Sequence, residues 1–209
     1  MEGLCVRGAV GLGDASDWGP GMVVLLGPSE PAFWDVFTAS PEYADTKPDP
    51  LDRWSKRTIG AMAKQLNARA VYPSDGPPYP PFLSWATDSG RAWVAPPGLL
   101  VHRDAGLLIS YRGALILDAA PEDATGADAS PPCSSCDTRP CTTACPVGAL
   151  GSGEGYDVPR CAAHVRSKAG TECRERGCLV RRACPVSARM NRPDPQAAFH
   201  MSAFLGSRL

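Results

Sequence analysis

Long apolar runs are missing from this chain. No stretch approaches the roughly 20 apolar residues of a membrane helix. The start, Met1-Glu2-Gly3-Leu4-Cys5-Val6-Arg7-Gly8, lacks the basic segment and apolar run of a signal peptide. Membrane insertion and secretion are therefore not expected, and a cytoplasmic location is. Net charge is missing too. The 21 Lys and Arg nearly balance the 22 Asp and Glu, leaving −1, so no global field points to nucleic acid or a membrane surface. Cysteine is almost absent from the first 132 residues, where Cys5 stands alone. There is no internal repeat beyond the spacing of the later cysteines.

A chain of 209 residues with 44% hydrophobic and 21% charged residues is long enough for a real core in one large domain or two small ones. Its 21 Gly and 22 Pro demand short elements and many loops. Pro121 to Pro132 is polar, small-residue and proline-rich, and reads as a linker. The expected division is a module over 1–120, a linker over 121–132 and a cysteine-bearing module over 133–209. In the first module, Met22 to Leu26 has the apolar character of a buried strand, and Glu30 to Thr38 reads as a short helix. Asp52 to Leu66 places Trp54, Ile59, Met62, Ala63 and Leu66 on one helical face, with Asp49 as cap candidate and Pro50 in the first turn. A strand over 68–72, a short helix over 81–87, and a hairpin of 99–102 with 107–117 about Asp104-Ala105-Gly106 follow. This order predicts an α+β fold. Short helices over 160–167 and 196–205 are expected in the second module.

The remaining eight cysteines fall into two groups, Cys133-x2-Cys136-x4-Cys141-x3-Cys145-Pro146 and Cys161-x11-Cys173-x4-Cys178-x5-Cys184-Pro185. Outside a secretory context, clustered thiols point to metal rather than disulfides. Bacterial ferredoxins use a run of C-x2-C-x2-C-x3-C-P, whose last cysteine reaches the other cluster. Close thiolates wrap one cubane, loop amides bond the sulfurs, and proline turns the chain away. Eight cysteines match two clusters with none left over. Zinc is the rival, since four-cysteine zinc sites also use C-x2-C, but only one such pair is present. Cys5 fits a small buried residue.

The pattern resembles the iron–sulfur module of epoxyqueuosine reductases and reductive dehalogenases, including Asp157-Val158-Pro159-Arg160-Cys161 around their isolated fifth cysteine. The resemblance implies a bacterial-ferredoxin-like module with short helices and two [4Fe–4S] clusters in a crossed arrangement. One is held by Cys133, Cys136, Cys141 and Cys184, the other by Cys145, Cys161, Cys173 and Cys178. The Cys136–Cys141 gap is wider here than in the common run, and the second group is looser. Residues 98–117, with Tyr111-Arg112-Gly113 at their centre, are similar to a strand pair in the cyanocobalamin-processing protein family. That similarity implies a small nitroreductase-like α/β sandwich over roughly residues 20–120 and a corrinoid cofactor. His102, Tyr111 and Arg112 are its candidate binding residues. No match to the families' catalytic acid stands out; Asp75 lies in the corresponding region but in unlike surroundings.

Nine basic residues crowd the stretch from Arg160 to Arg192, opposed only by Glu172 and Glu175. They either steer an acidic donor such as flavodoxin or ferredoxin or offset the charge of eight thiolates. Nucleic acid is not expected, because the stretch lacks an aromatic stacking platform. His164 and His200 are expected near the clusters. Three function classes remain. The first is a reductase passing electrons to a small molecule or corrinoid on the N-terminal module. The second is a plain dicluster carrier, and the third a zinc or structural metal protein.

Overall fold

The computed structural model describes residues 3–118, 130–151 and 155–206. The linker expected over 121–132 falls mostly outside them. The described chain mixes helices with small antiparallel sheets, an α+β architecture. It divides into two compact units, Met1–Ala92 with Ser110–Ala129, and Trp93–Ile109 with Ser130–Leu209. The sequence division at 120 is thus corrected, because residues 93–109 cluster with the cysteine-bearing part. No helix among the described residues is long and apolar enough to cross a membrane.

The first unit is built on strands β1 Leu4–Leu12, β2 Gly21–Pro28, β3 Arg69–Val71 and β6 Gly113–Leu117. They form a four-stranded sheet in the order β1-β2-β6-β3, each pair antiparallel. Its helices are α1 Phe33–Thr38, α2 Pro41–Ala44, α3 Pro50–Gln65 and α4 Phe82–Asp88. Strand β2 is buried from Met22 to Pro28, so both faces of the sheet are covered. A Cβ on Gly113 would lie 2.7 Å from Ile59 of α3, and Gly113 pairs with Leu26, so that face meets α3. The missing side chain of Gly8 leaves room for Ser89, just beyond α4, where a Cβ would lie 2.6 Å from Ser89 Oγ and 3.6 Å from Leu25. Leu25 thus faces the α4 side. Helix α3 buries Leu51, Trp54, Ile59 and Ala63 at helical spacing, and Trp54 packs edge-on against Phe33 and Phe37. Asp49 makes no side-chain cap there; it takes a left-handed conformation, and Pro50 opens the helix.

The second unit begins with a hairpin of β4 Ala92–Val94 and β5 Leu100–His102 around Pro96-Pro97-Gly98, where Gly98 has a φ of 76°. The hairpin expected from 99–102 and 107–117 does not form. The cause is local. Buried His102 accepts the amides of Asp104 and Ala105 on Nδ1 at 3.0 and 3.2 Å, which closes a tight turn ending in the His102–Gly106 bridge. The chain then runs without strand pairing until β6, which pairs with β2 and β3 instead. After 3-10 turns at Pro132–Ser135 and Pro140–Thr142 come α5 Val158–Arg166, a 3-10 turn at Lys168–Gly170, α6 Thr171–Arg176, α7 Leu179–Ala183, α8 Pro185–Ala188 and α9 Asp194–Gly206.

Arg57 of α3 grips Glu42 of α2 with Nε on Oε1 at 2.5 Å and Nη2 on Oε2 at 2.9 Å. These bonds hold the Glu42 carboxyl below its ordinary value of 4.5, against the opposing effect of burial. A pKa depressed by folding adds stability above the unfolded value and loses it as pH falls through the folded one. Glu42→Gln should therefore lower the thermal midpoint of the protein near neutral pH. The gap from wild type should close as pH falls below about 4.5; a gap constant with pH would show that the ion pair contributes nothing.

Candidate metal centre

The cysteines are set by short, sharply turned segments. Cys133 sits in the first 3-10 turn and Cys136 closes it. Arg139 takes a left-handed φ of 38°, and the turn it opens presents Cys141. Cys145 follows one more turn on and accepts the amide of Ala149 on its sulfur at 3.2 Å. Asp157 caps α5 by accepting the Arg160 amide at 2.9 Å, which fixes the helix that carries Cys161. Cys173 lies in α6, and Cys178 and Cys184 stand immediately before α7 and α8. Pro185 occupies the first turn of α8, where a missing N–H costs nothing. All eight, like Cys5, are free thiols.

These eight thiols surround two separate cavities. Cys133, Cys136, Cys141 and Cys184 line one of about 340 Å³, together with Ala95, Pro96, Val101 and Leu107 from the 93–109 segment. Cys145, Cys161, Cys173 and Cys178 line another of about 20 Å³, room for about one water. The two groups are the same sets of four that the family resemblance implies. Leu150 and Val180 line the second cavity, yet they pack in one buried cluster with Cys141 and Cys184 of the first. The second cavity is also lined by His164 and by Met201 of α9; nothing in the cysteine spacing marks Met201.

Electrostatics divides the thiols the same way. Burial pushes Cys133 and Cys141 above the ordinary thiol value, and the charges of Cys184 and of neighbours within the first set push them further. Burial likewise raises Cys161 and Cys173, with repulsion from Cys178 and Cys145. Two hydrogen bonds oppose this, from Tyr156 to Cys161 and from the Leu179 amide to Cys173. Four crowded thiolates are unfavourable unless protons or metal neutralise them.

Among the described residues, no three His, Cys, Asp or Glu side chains are grouped so as to hold a single metal ion. Tetrahedral zinc, with Zn–S near 2.3 Å, would draw its thiolates to roughly 3.8 Å apart. A cubane carries its four thiolates at outer corners, and so suits sulfurs spread around a cavity. The all-sulfur donor sets fit [4Fe–4S] clusters in kind. The first cavity has room as it stands; the second must open its apolar wall.

The residues proposed for a corrinoid fall in different units. His102 is buried in the second, where it closes the turn described above. Tyr111 and Arg112 belong to the first. The Tyr111 hydroxyl is buried without a hydrogen-bond partner among the described residues, and burial raises its pKa strongly. Arg112 pairs with Asp52 at 3.4 Å beside a cavity of about 230 Å³ lined also by Lys56, Tyr72 and Ser74. That volume is below the roughly 300–1,000 Å³ of drug-sized ligand sites, so this cavity does not fit a corrinoid. Asp75 accepts the Tyr72 amide at 2.9 Å and pairs with Lys56 at 3.6 Å, which makes it a turn-stabilising residue.

Most of the basic stretch is used inside the unit. Arg174 bonds the Val165 and Ser167 carbonyls at the end of α5. Arg181 and Arg192 bond the carbonyls of Leu107 and Leu108 at 2.6 and 2.8 Å. Arg160, Arg176 and Arg182 pair with Asp157, Asp194 and Glu172. His200 stacks edge-on with Phe199 in α9.

Compared with known proteins, the chain matches no family model, no curated protein and no solved structure.

Ser187 of α8 accepts the Leu107 amide at 2.9 Å, a buried bond that ties the 93–109 segment behind Cys184. A Cβ on Gly106, whose φ is 56°, would lie 2.5 Å from the Ser187 nitrogen, so the approach admits only glycine. Ser187→Ala should cost about 1–3 kcal/mol by orphaning a buried donor and speed hydrogen exchange at the Leu107 amide. Unchanged exchange there would show that the Ser187 bond does not hold the segment.

Proposed function

We propose that the second unit binds two [4Fe–4S] clusters in the manner of the iron–sulfur module of epoxyqueuosine reductases and reductive dehalogenases, and that the protein transfers electrons. One observation carries the reading: eight free thiols ring two cavities, four to each, with no other metal-binding side chain required. In this reading the unit is a bacterial-ferredoxin-like module. The first unit is a nitroreductase-like sandwich, supported by its antiparallel sheet covered on both faces. A bound cluster supplies reversible one-electron transfer.

The chain's own groups do the rest. Cys133, Cys136, Cys141 and Cys184 would hold one cluster, and Cys145, Cys161, Cys173 and Cys178 the other. The Ala149 amide on Cys145, the Leu179 amide on Cys173 and the Tyr156 hydroxyl on Cys161 draw charge from sulfur and favour the reduced state. Val147, Leu150, Val165, Leu179 and Val180 line the second site with apolar groups and keep water from it. The electron donor is an acidic carrier of the flavodoxin or ferredoxin kind. The acceptor is a small molecule or a second protein; no corrinoid step follows from the cavity at Arg112.

Anaerobic reconstitution tests the reading. Purified protein should be brown and hold about eight irons per chain. About one zinc per four cysteines with no iron would contradict it. Cys184→Ser should alter only the EPR signal shared with Cys133→Ser, despite the separation of these residues in sequence. A change confined to the signal sensitive to Cys178→Ser would show that the four-thiol sets are drawn wrongly.

A further inference from the structure

The two cavities differ in what surrounds their cysteines. The second is nearly filled, and apart from its thiols and His164 its lining is apolar. The first is wide and bordered by the exposed polar residues Ser135, Asp137, Thr138, Arg139 and Arg189. Arg139 and Arg189 stand apart from the other arginines of the unit. Their guanidinium groups make no hydrogen bond or ion pair among the described residues, whereas Arg174, Arg181 and Arg192 bond main-chain carbonyls and Arg182 bonds Glu172. These two exposed arginines against Asp137 leave the rim positive, and the Arg139 charge also favours the Cys133 thiolate beside it.

Resting on the two-cluster reading, we propose that electrons enter at the centre held by Cys133, Cys136, Cys141 and Cys184. The donor is an acidic one-electron carrier protein that docks on the rim at Arg139 and Arg189. The charge argument for this rim is specific. A guanidinium held by a carbonyl or carboxylate within the fold is spent there. One that projects into solvent without a partner lends its field to an approaching surface. Electron transfer falls steeply with distance, so a carrier seated on this rim would reduce the centre that the rim borders. The contiguous packing of Cys141, Leu150, Val180 and Cys184 joins the two. In the step itself, the carrier loses one electron and the centre at these four cysteines gains it. No bond breaks and no proton moves.

The test uses the reconstituted full chain and a strongly acidic two-iron ferredoxin. Calorimetry with both proteins oxidised measures docking without electron transfer, and stopped-flow mixing with the reduced ferredoxin measures entry. Arg139→Glu combined with Arg189→Glu should weaken binding and slow reduction by about tenfold or more at about 10 mM salt. The difference should shrink at about 0.15 M, as screening shortens from about 30 to 8 Å. Iron content and photoreduction by a neutral deazaflavin are measured for each variant, and binding and reduction are compared per loaded cluster. Lys168→Glu, an exposed cation elsewhere in the unit, should have little effect. Equal affinity of wild type and the double variant, or an equal loss with Lys168→Glu, would overturn the docking site. A shifted reduction potential with unchanged affinity would also overturn it, by assigning the arginines to charge compensation. A wild type that binds the ferredoxin but no iron would overturn the cluster reading beneath it; one that holds about eight irons yet fails to bind overturns the docking alone.

Discussion

Everything in the second unit depends on gathering four sulfurs around a cavity twice over in a short chain. Thiolates at such spacing repel each other, and burial makes their charge costlier still. The rises at Cys133, Cys141, Cys161 and Cys173 express that strain. Protonation relieves the repulsion, and a multiply charged metal centre would turn the crowding into stabilisation. The crossed order makes the two sets interdependent. Cys145 leaves its neighbours for the second set, and Cys184 returns from the second run to the first. Neither set can form from one continuous segment, so assembly of the centres and folding of the unit are one event in this account.

That dependence explains the rest of the unit. Helices α6, α7 and α8 have six, five and four residues, far below the roughly 12–15 at which isolated helices become even marginal. They are held from outside. Arg182 bonds the Gly177 carbonyl between α6 and α7, and the 93–109 segment closes over Cys184 through Ser187, Arg181 and Arg192. The roomy first cavity and the nearly filled second one place different demands on loading. The first would admit a cluster without rearrangement, whereas the second would have to open its largely apolar wall.

The cysteine pattern was readable in the sequence because thiol chemistry and spacing are local properties. So were β2 and α3, whose apolar periodicity is plain. Strand β1 was not readable. Its register shifts between Val6 and Gly8, which interrupts any alternation, and its glycines remove the apolar signal. The hairpin about Asp104 was misplaced because the His102 imidazole, rather than a strand partner, takes the turn amides. The role of the arginines was equally hidden. Charge counted along the chain shows a basic stretch, but only the fold shows that most of it is bonded to carbonyls and carboxylates. Met201 and the wall from Ala95 to Leu107 reach the cavities through tertiary packing, which no spacing rule reports.

X-ray absorption at the iron edge of the anaerobically reconstituted protein tests the central claim most directly. This account predicts that every iron has a sulfur shell near 2.3 Å and a second shell of iron neighbours, as in four-iron clusters. Loss of either half of the cysteines should halve the iron content and leave both shells of the remaining irons unchanged. Iron with four thiolate sulfurs and no iron neighbour, or metal present only as zinc, would contradict it.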